Sequence, residues 1–203
     1  KEVAEFIGTN HFEIVITEKD VLESINEVIY ALESYDVTTV RASIGNYLIG
    51  KYIKKNTYCK VIFNGDGADE IFGSYKWLSK ITDTDEFFIE NNKLLNEIQY
   101  FDVLRSDRSM AGNGLVARTP FLDKELVKFV MTINNIYKMH HNKIEKKILR
   151  DAFKNDNILP DSVLWRSKTA FSDGVTSNTR NIFDIIQEYI DTQITDNEYW
   201  LYQ

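Results

Sequence analysis

Val21, Leu22, Ile25, Val28, Ile29 and Leu32 recur at helical spacing and form one apolar stripe. Thr17 and Asp20, just ahead of it, match the capping-box pattern that starts a helix. The short β-branched run Phe12–Ile16 before that cap reads as a strand. After a turn at Tyr35–Asp36, Val40, Ile44, Tyr47 and Leu48 mark a helical face within Thr39–Lys55. Lys60–Phe63 is too short for a helix and is bounded by Gly65, so it reads as a buried strand. Helices on both sides of it argue for parallel pairing. Beyond Glu70 the spacing predicts helices over Ile71–Lys80, from about Thr84 to Arg105, and around Leu126, Phe129, Val130 and Ile133. Asn142 with Glu145 caps another, carrying Ile144, Ile148, Leu149 and Ala152, and Pro160 breaks the chain before Val163–Lys168.

The order is strand, helix, helix, strand and then a long helical portion, which makes the fold class α/β but predominantly helical. Two strands do not make a parallel sheet covered on both faces. Further strands are therefore expected from sequence preceding Lys1, and residues 1–203 read as a single partial domain. Lys1 opens directly into an amphipathic run without an initiator Met, and Tyr199–Gln203 closes the chain on aromatic residues; both ends read as cut.

Composition narrows the class. The chain has 203 residues, 43% hydrophobic and 27% charged, enough to bury a real core. A formal charge of −7 argues against a nucleic-acid binder, and the basic run Lys143–Arg150, interleaved with apolar residues and Glu145, reads as a solvated helix face. A single cysteine, Cys59, excludes an internal disulfide and suits a reducing compartment. No apolar stretch approaches membrane-spanning length and no signal-peptide pattern is present, so the expected location is the cytoplasm.

Candidate chemistry concentrates in Asn64–Glu70, NGDGADE, between a predicted strand and a predicted helix. Free N–H groups and the positive end of a helix dipole converge at such a junction, and Gly65 and Gly67 permit unusual φ and close approach of a ligand. Asp66, Asp69 and Glu70 add carboxylates which, beside phosphates, imply Mg²⁺. The same residues also read as a polar turn with acids at a helix start. An EF-hand loop fits poorly because Asp69 stands where its glycine is required, and no Gly-Lys-Ser/Thr follows to make a Walker A loop.

Asn64–Tyr75, NGDGADEIFGSY, resembles SGEGADEVFGGY in the synthetase domain of glutamine-dependent asparagine synthetases of the B type. Tyr35–Ser43 (YDVTTVRAS), Tyr100–Arg105 (YFDVLR), Ala117–Lys124 (ARTPFLDK), Lys143–Arg150 (KIEKKILR) and Leu164–Gly174 (LWRSKTAFSDG) agree in order and spacing. The resemblance runs from near Lys1 to about Gly174. It implies an incomplete parallel sheet of the adenine-nucleotide α-hydrolase type. It also implies that ATP and aspartate form β-aspartyl-AMP with Mg²⁺, which ammonia from glutamine then converts to asparagine.

The resemblance further implies roles for single residues. Asn64, Gly65 and Gly67 lie where the family meets ATP, and Asp66 stands where a Glu handles activated aspartate and ammonia. Asp69 and Glu70 match acids at Mg²⁺ and pyrophosphate, and Lys168 matches a lysine on the phosphates. Thr38 and Arg41 match aspartate-binding positions, and Asp102 and Arg105 match a pair near the substrates, with Asp66, Lys168 and Arg105 as the implied catalytic set. Each also has a bland reading. Arg41 can pair with Glu33 or Asp36, Asp102 and Arg105 are an ordinary i,i+3 pair, and Lys168 alone is a surface lysine. Trp165, Phe171 and Phe121 read as core. His11, His140 and His141 lack a ligand pattern.

The chain also departs from the family. It contains no Gly-Gly pair, so the S-G-G-x-D-S pyrophosphate loop is expected upstream, together with an amidotransferase domain as partner. Asp66 is shorter than Glu by one methylene, about 1.3–1.5 Å of reach, and Val116 replaces an acid. The chain is therefore expected to be inactive alone. A β-lactam-synthetase-like enzyme with another acceptor and a non-catalytic scaffold are the competing readings, and a homodimer is a further partner expectation.

Overall fold

The computed structural model describes residues 1–139, 144–168 and 182–193, grouped into two compact units. The first comprises Lys1–Glu13, Val61–Leu104 and Ala117–Lys168. The second comprises Ile14–Lys60, Arg105–Val116 and, from the C-terminal part, Ile182–Gln193. No helix among the described residues is long and apolar enough to cross a membrane.

The second unit is helical. α2 (Glu18–Leu32), which follows α1 (Glu2–Ile7) of the first unit, begins with the expected capping box: Thr17 and Asp20 exchange side-chain and backbone bonds. Its stripe buries Val21, Ile25, Val28 and Leu32. α3 (Val37–Asn56) starts at Asp36, whose carboxylate accepts from the Thr39 N–H at 2.7 Å. Val40 and Ile44 of α3 complete a core with α2 and with Ile182 and Ile185 of the C-terminal helix, α10 (Ile182–Gln193).

β1 (Val61–Phe63), in the first unit, pairs in parallel with β2 (Val116–Arg118), of which Ala117 and Arg118 belong to that unit, and the Asn64 N–H donates to the Arg118 carbonyl at 3.0 Å. β2 is not among the expected strands, and its signal in the sequence is only a faint apolar triplet between Gly114 and Pro120. β1 forms where expected but is not buried: Val61 is 49% and Phe63 74% exposed, because a two-stranded ladder is too narrow to be covered on both faces. Phe12–Ile16 is irregular rather than a strand, with Phe12 and Val15 exposed; β-branching alone makes no ladder without a packed partner.

The predicted helix Ile71–Lys80 divides into α4 (Ala68–Ile71) and a 3-10 turn, Lys76–Lys80. The break is Gly73, at φ +59°, where an added Cβ would collide with Phe87. The predicted helix from Thr84 to Arg105 is two helices. α5 (Thr84–Glu97) runs into a 3-10 turn at Ile98–Tyr100, Phe101 leaves helical geometry, and α6 (Asp102–Ala111) restarts. Three residues per turn hardly disturbs an i,i+3 pattern, so the apolar spacing spans the junction unseen.

α7 (Lys124–Thr132) contributes Val130 to a core with Ile71 and Phe72. Phe121, expected in the core, is partly buried against it and packs edge-on on Phe72 at 6.4 Å between ring centroids. α8 (Lys147–Phe153) adds Ile148 and Leu149, but it begins at Lys146 and not at an Asn142–Glu145 cap; Asn142 lies outside the described residues. α9 (Asp161–Leu164) follows Pro160. Trp165 is 37% exposed and is not core, while Phe171, His140 and His141 lie outside the described residues.

Candidate functional site

The loop from β1 to α4 carries the candidate site. Asn64 shapes it: its side-chain oxygen accepts from the Asp66 N–H at 3.2 Å, an Asx turn that tightens the chain. Gly67 sits at φ +91° with Leu122 where a Cβ would be, so glycine is obligatory there. Gly65 differs from expectation. It takes no positive φ, and a Cβ there meets nothing within 4 Å.

The expected backbone cradle is also weaker than its letters suggest. α4 is only four residues long, and the Ala68 and Ile71 N–H groups are spent on the Gly65 and Gly67 carbonyls. Positive charge arrives instead on side chains. The Asp69 carboxylate accepts from Lys146 and from the Ser74 hydroxyl, and Lys168 Nζ lies 2.9 Å from Asp69 Oδ1. Lys146 Nζ also donates to Ser74 Oγ at 2.9 Å. The two lysine side chains are only 18% and 21% exposed. Burial alone would raise the pKa of Asp69, but Lys146, with Ser74 and Lys168 behind it, outweighs burial and holds it below the usual carboxylate range.

Lys146 is the residue the sequence reading missed. KIEKKILR reads as a solvated face by its alternation, yet Lys146 turns inward from the start of α8 and takes a left-handed backbone, φ +54° and ψ +34°. A lysine in that region is strained, and such outliers gather where a side chain has a job.

Glu70 is buried. Its carboxylate accepts from Tyr75 Oη at 2.5 Å, and the same hydroxyl lies 3.2 Å from Asp102 Oδ2. Burial, against the opposing Tyr75 bond and with help from the negative charges of Asp102 and Asp69, pushes Glu70 above the usual range. Burial and then Glu70 raise Tyr75 far above an ordinary phenol, so its hydroxyl stays protonated. The Tyr75 ring carries Lys168 Nζ at 4.5 Å from its centroid.

One neighbourhood of the first unit thus gathers Asp69, Glu70, Asp102 and Lys168, together with the unexpected Lys146 and Tyr75. Asp66 is half-buried in the loop between them. Thr38, Arg41 and Arg105 belong to the second unit. Thr38 is exposed in the first turn of α3, and Arg41 is half-buried less than a turn further on. The two acids considered as structural partners of Arg41 are engaged elsewhere. Glu33 pairs with Arg108 at 3.6 Å, and Asp36 caps α3 through Thr39 with the Arg105 charge lowering its pKa further. Described Asp, Glu, His and Cys side chains form no group of three able to hold a metal ion. With two ammonium groups on Asp69 and a phenol on Glu70, the cluster does not fit a resident cation.

A family model for asparagine synthase matches residues 1–89 and 90–203. Over 196 residues the chain is 43% identical to the glutamine-hydrolysing asparagine synthetases of Homo sapiens and Gallus gallus and 42% identical to that of Rattus norvegicus. The alignment takes in 97% of this chain but 35% of each relative, so the chain spans about a third of the length of the curated relatives it matches.

Proposed function

The chain belongs to the asparagine synthase family, and from that premise we propose that it supplies the pyrophosphate-facing wall of an ATP-dependent amide-ligase site. In the proposed reaction an aspartate β-carboxylate oxygen attacks the α-phosphorus of ATP and pyrophosphate leaves. Ammonia derived from glutamine then attacks the acyl carbon of β-aspartyl-AMP, loses a proton and expels AMP, leaving asparagine.

The carrying observation is Asp69, on α4 just past the loop that follows β1, held between Lys146 and Lys168. Two half-buried ammonium groups share one carboxylate, so that triad carries one positive charge in excess, and such charge stabilises a departing polyphosphate. The sheet β1–β2 ends at this loop, as expected if it is part of an adenine-nucleotide α-hydrolase-type sheet, whose ligands sit at the carboxyl ends of strands. Asn64, Gly65 and Gly67 would border the nucleotide, with the open space at Gly65 allowing close approach. Asp66 would face the activated aspartate, and Thr38, Arg41, Asp102 and Arg105 would hold aspartate, Arg41 by bidentate bonds to a carboxylate. Mg²⁺ would enter only as the companion of ATP, with ligands from phosphate oxygens and water. An amidotransferase domain supplying ammonia, a homodimer and a cytoplasmic location belong to the same proposal.

The test is pyrophosphate release from ATP by the protein carrying this chain, with and without aspartate. Release that depends on aspartate is expected, with a rise of tenfold or more in Asp66→Glu if the missing methylene limits placement. Release with another carboxylic acceptor but not aspartate would transfer the chain to the β-lactam-synthetase-like reading. No release in either protein would leave the scaffold reading.

A further inference from the structure

We propose that Tyr75 is a positioning residue for Lys168. Its ring face holds the ammonium, and its hydroxyl, anchored on Glu70 and Asp102, keeps the ring in place.

A lysine has four rotatable side-chain bonds and a point charge, so alone it is a poor device for meeting a phosphate at one spot. Three contacts restrict Lys168. Its Nζ is 2.9 Å from Asp69 Oδ1 on one side and 4.5 Å from the Tyr75 ring centroid on another. Its backbone N–H reaches the buried Glu145 carboxylate at 3.4 Å. An ammonium over an aromatic face is attracted by the ring quadrupole, and more strongly when both are shielded from water, as here. Unlike a second carboxylate, the ring draws the ammonium without neutralising it, so its charge stays available to a polyanion.

The ring itself is clamped at its far end. Tyr75 Oη lies 2.5 Å from Glu70 Oε1 and 3.2 Å from Asp102 Oδ2. Glu70 is fixed on α4 and Asp102 at the start of α6, so one hydroxyl ties two elements to the ring beneath Lys168. The loop therefore sets Lys168 from both sides, through Asp69 and through Tyr75, six residues later in the sequence.

The proposal rests on the phosphate-facing reading of Lys168, and two measurements separate the one from the other. The first is binding of inorganic pyrophosphate by calorimetry to the protein carrying this chain. The proteins compared are wild type, Tyr75→Phe, Tyr75→Leu, Lys168→Ala and the double variant Tyr75→Leu/Lys168→Ala. Tyr75→Leu is expected to weaken binding about tenfold and Tyr75→Phe less than about threefold. In the Lys168→Ala background, Tyr75→Leu should cause no further loss. A loss of equal size in both backgrounds would mean that Tyr75 acts by merely holding the fold, and the proposal fails.

The second needs no ligand. After ¹³C-dimethylation of lysines, which retains their charge, the Lys168 methyl resonance, assigned by its disappearance in Lys168→Arg, should be shifted upfield by the ring. That shift should survive in Tyr75→Phe and vanish in Tyr75→Leu. An unshifted resonance in the wild type overturns the positioning claim. An upfield resonance in a protein that does not bind pyrophosphate keeps the pairing and removes the phosphate reading instead.

Discussion

Lys146 and Asp69, 77 residues apart in the chain, form an ion pair that Ser74 joins from one side and Lys168 from the other. The lysine reaches that carboxylate from a left-handed backbone that its side chain does not favour.

That strain has a measurable consequence. Lys146→Gly should be more stable than Lys146→Ala by about 0.5–1 kcal/mol, because only glycine adopts positive φ freely. Both should bind pyrophosphate about tenfold more weakly than wild type, the loss of one charged contact. Urea denaturation and calorimetry check the two statements. Equal stabilities would remove the strain, and unchanged affinity would remove Lys146 from the site.

Asp69 and Glu70 predict opposite limbs of a pH–stability curve. Asp69 is lowered from 3.8, so its contribution is full above that value and is lost as pH falls through the depressed one. Glu70 is raised from 4.5, so the native state keeps a proton that the unfolded chain has released. Its contribution is full below 4.5 and fades as pH rises through the raised value. Glu70→Gln keeps an acceptor for Tyr75 and removes the second limb. Unfolding free energies from about pH 4.5 to about pH 7 should decline more steeply in the wild type than in the variant; parallel curves would refute the raised pKa.

Two glycines of the motif should separate structure from ligand binding. Gly73→Ala meets Phe87 and a positive φ, and should cost about 2 kcal/mol or more. Gly65→Ala has open space and no such backbone, and should change stability by less than about 0.5 kcal/mol. If the nucleotide approaches there, Gly65→Ala should still weaken ATP binding. Thermal denaturation alongside ATP titration distinguishes them, and a Gly65→Ala protein that unfolds as readily as Gly73→Ala would contradict this division.

The local features were legible in the letters. The capping box of Thr17 and Asp20, the buried stripe from Val21 to Leu32, and the strand and loop at Val61–Glu70 depend on residues a few positions apart. Cap geometry and periodicity act over that range. Three-dimensional packing decided the rest. Gly73 breaks a helix because Phe87 occupies the space beside it, and Phe101 ends one behind a 3-10 turn that preserves the apolar spacing. Lys146 leaves a face that reads as solvated because Asp69 and Ser74 lie across the fold from it. Tyr75 becomes more than a motif letter once Glu70, Asp102 and Lys168 are gathered around it. Attraction between charges and rings depends on distance in space, and for residues this far apart along the chain that distance exists only after folding.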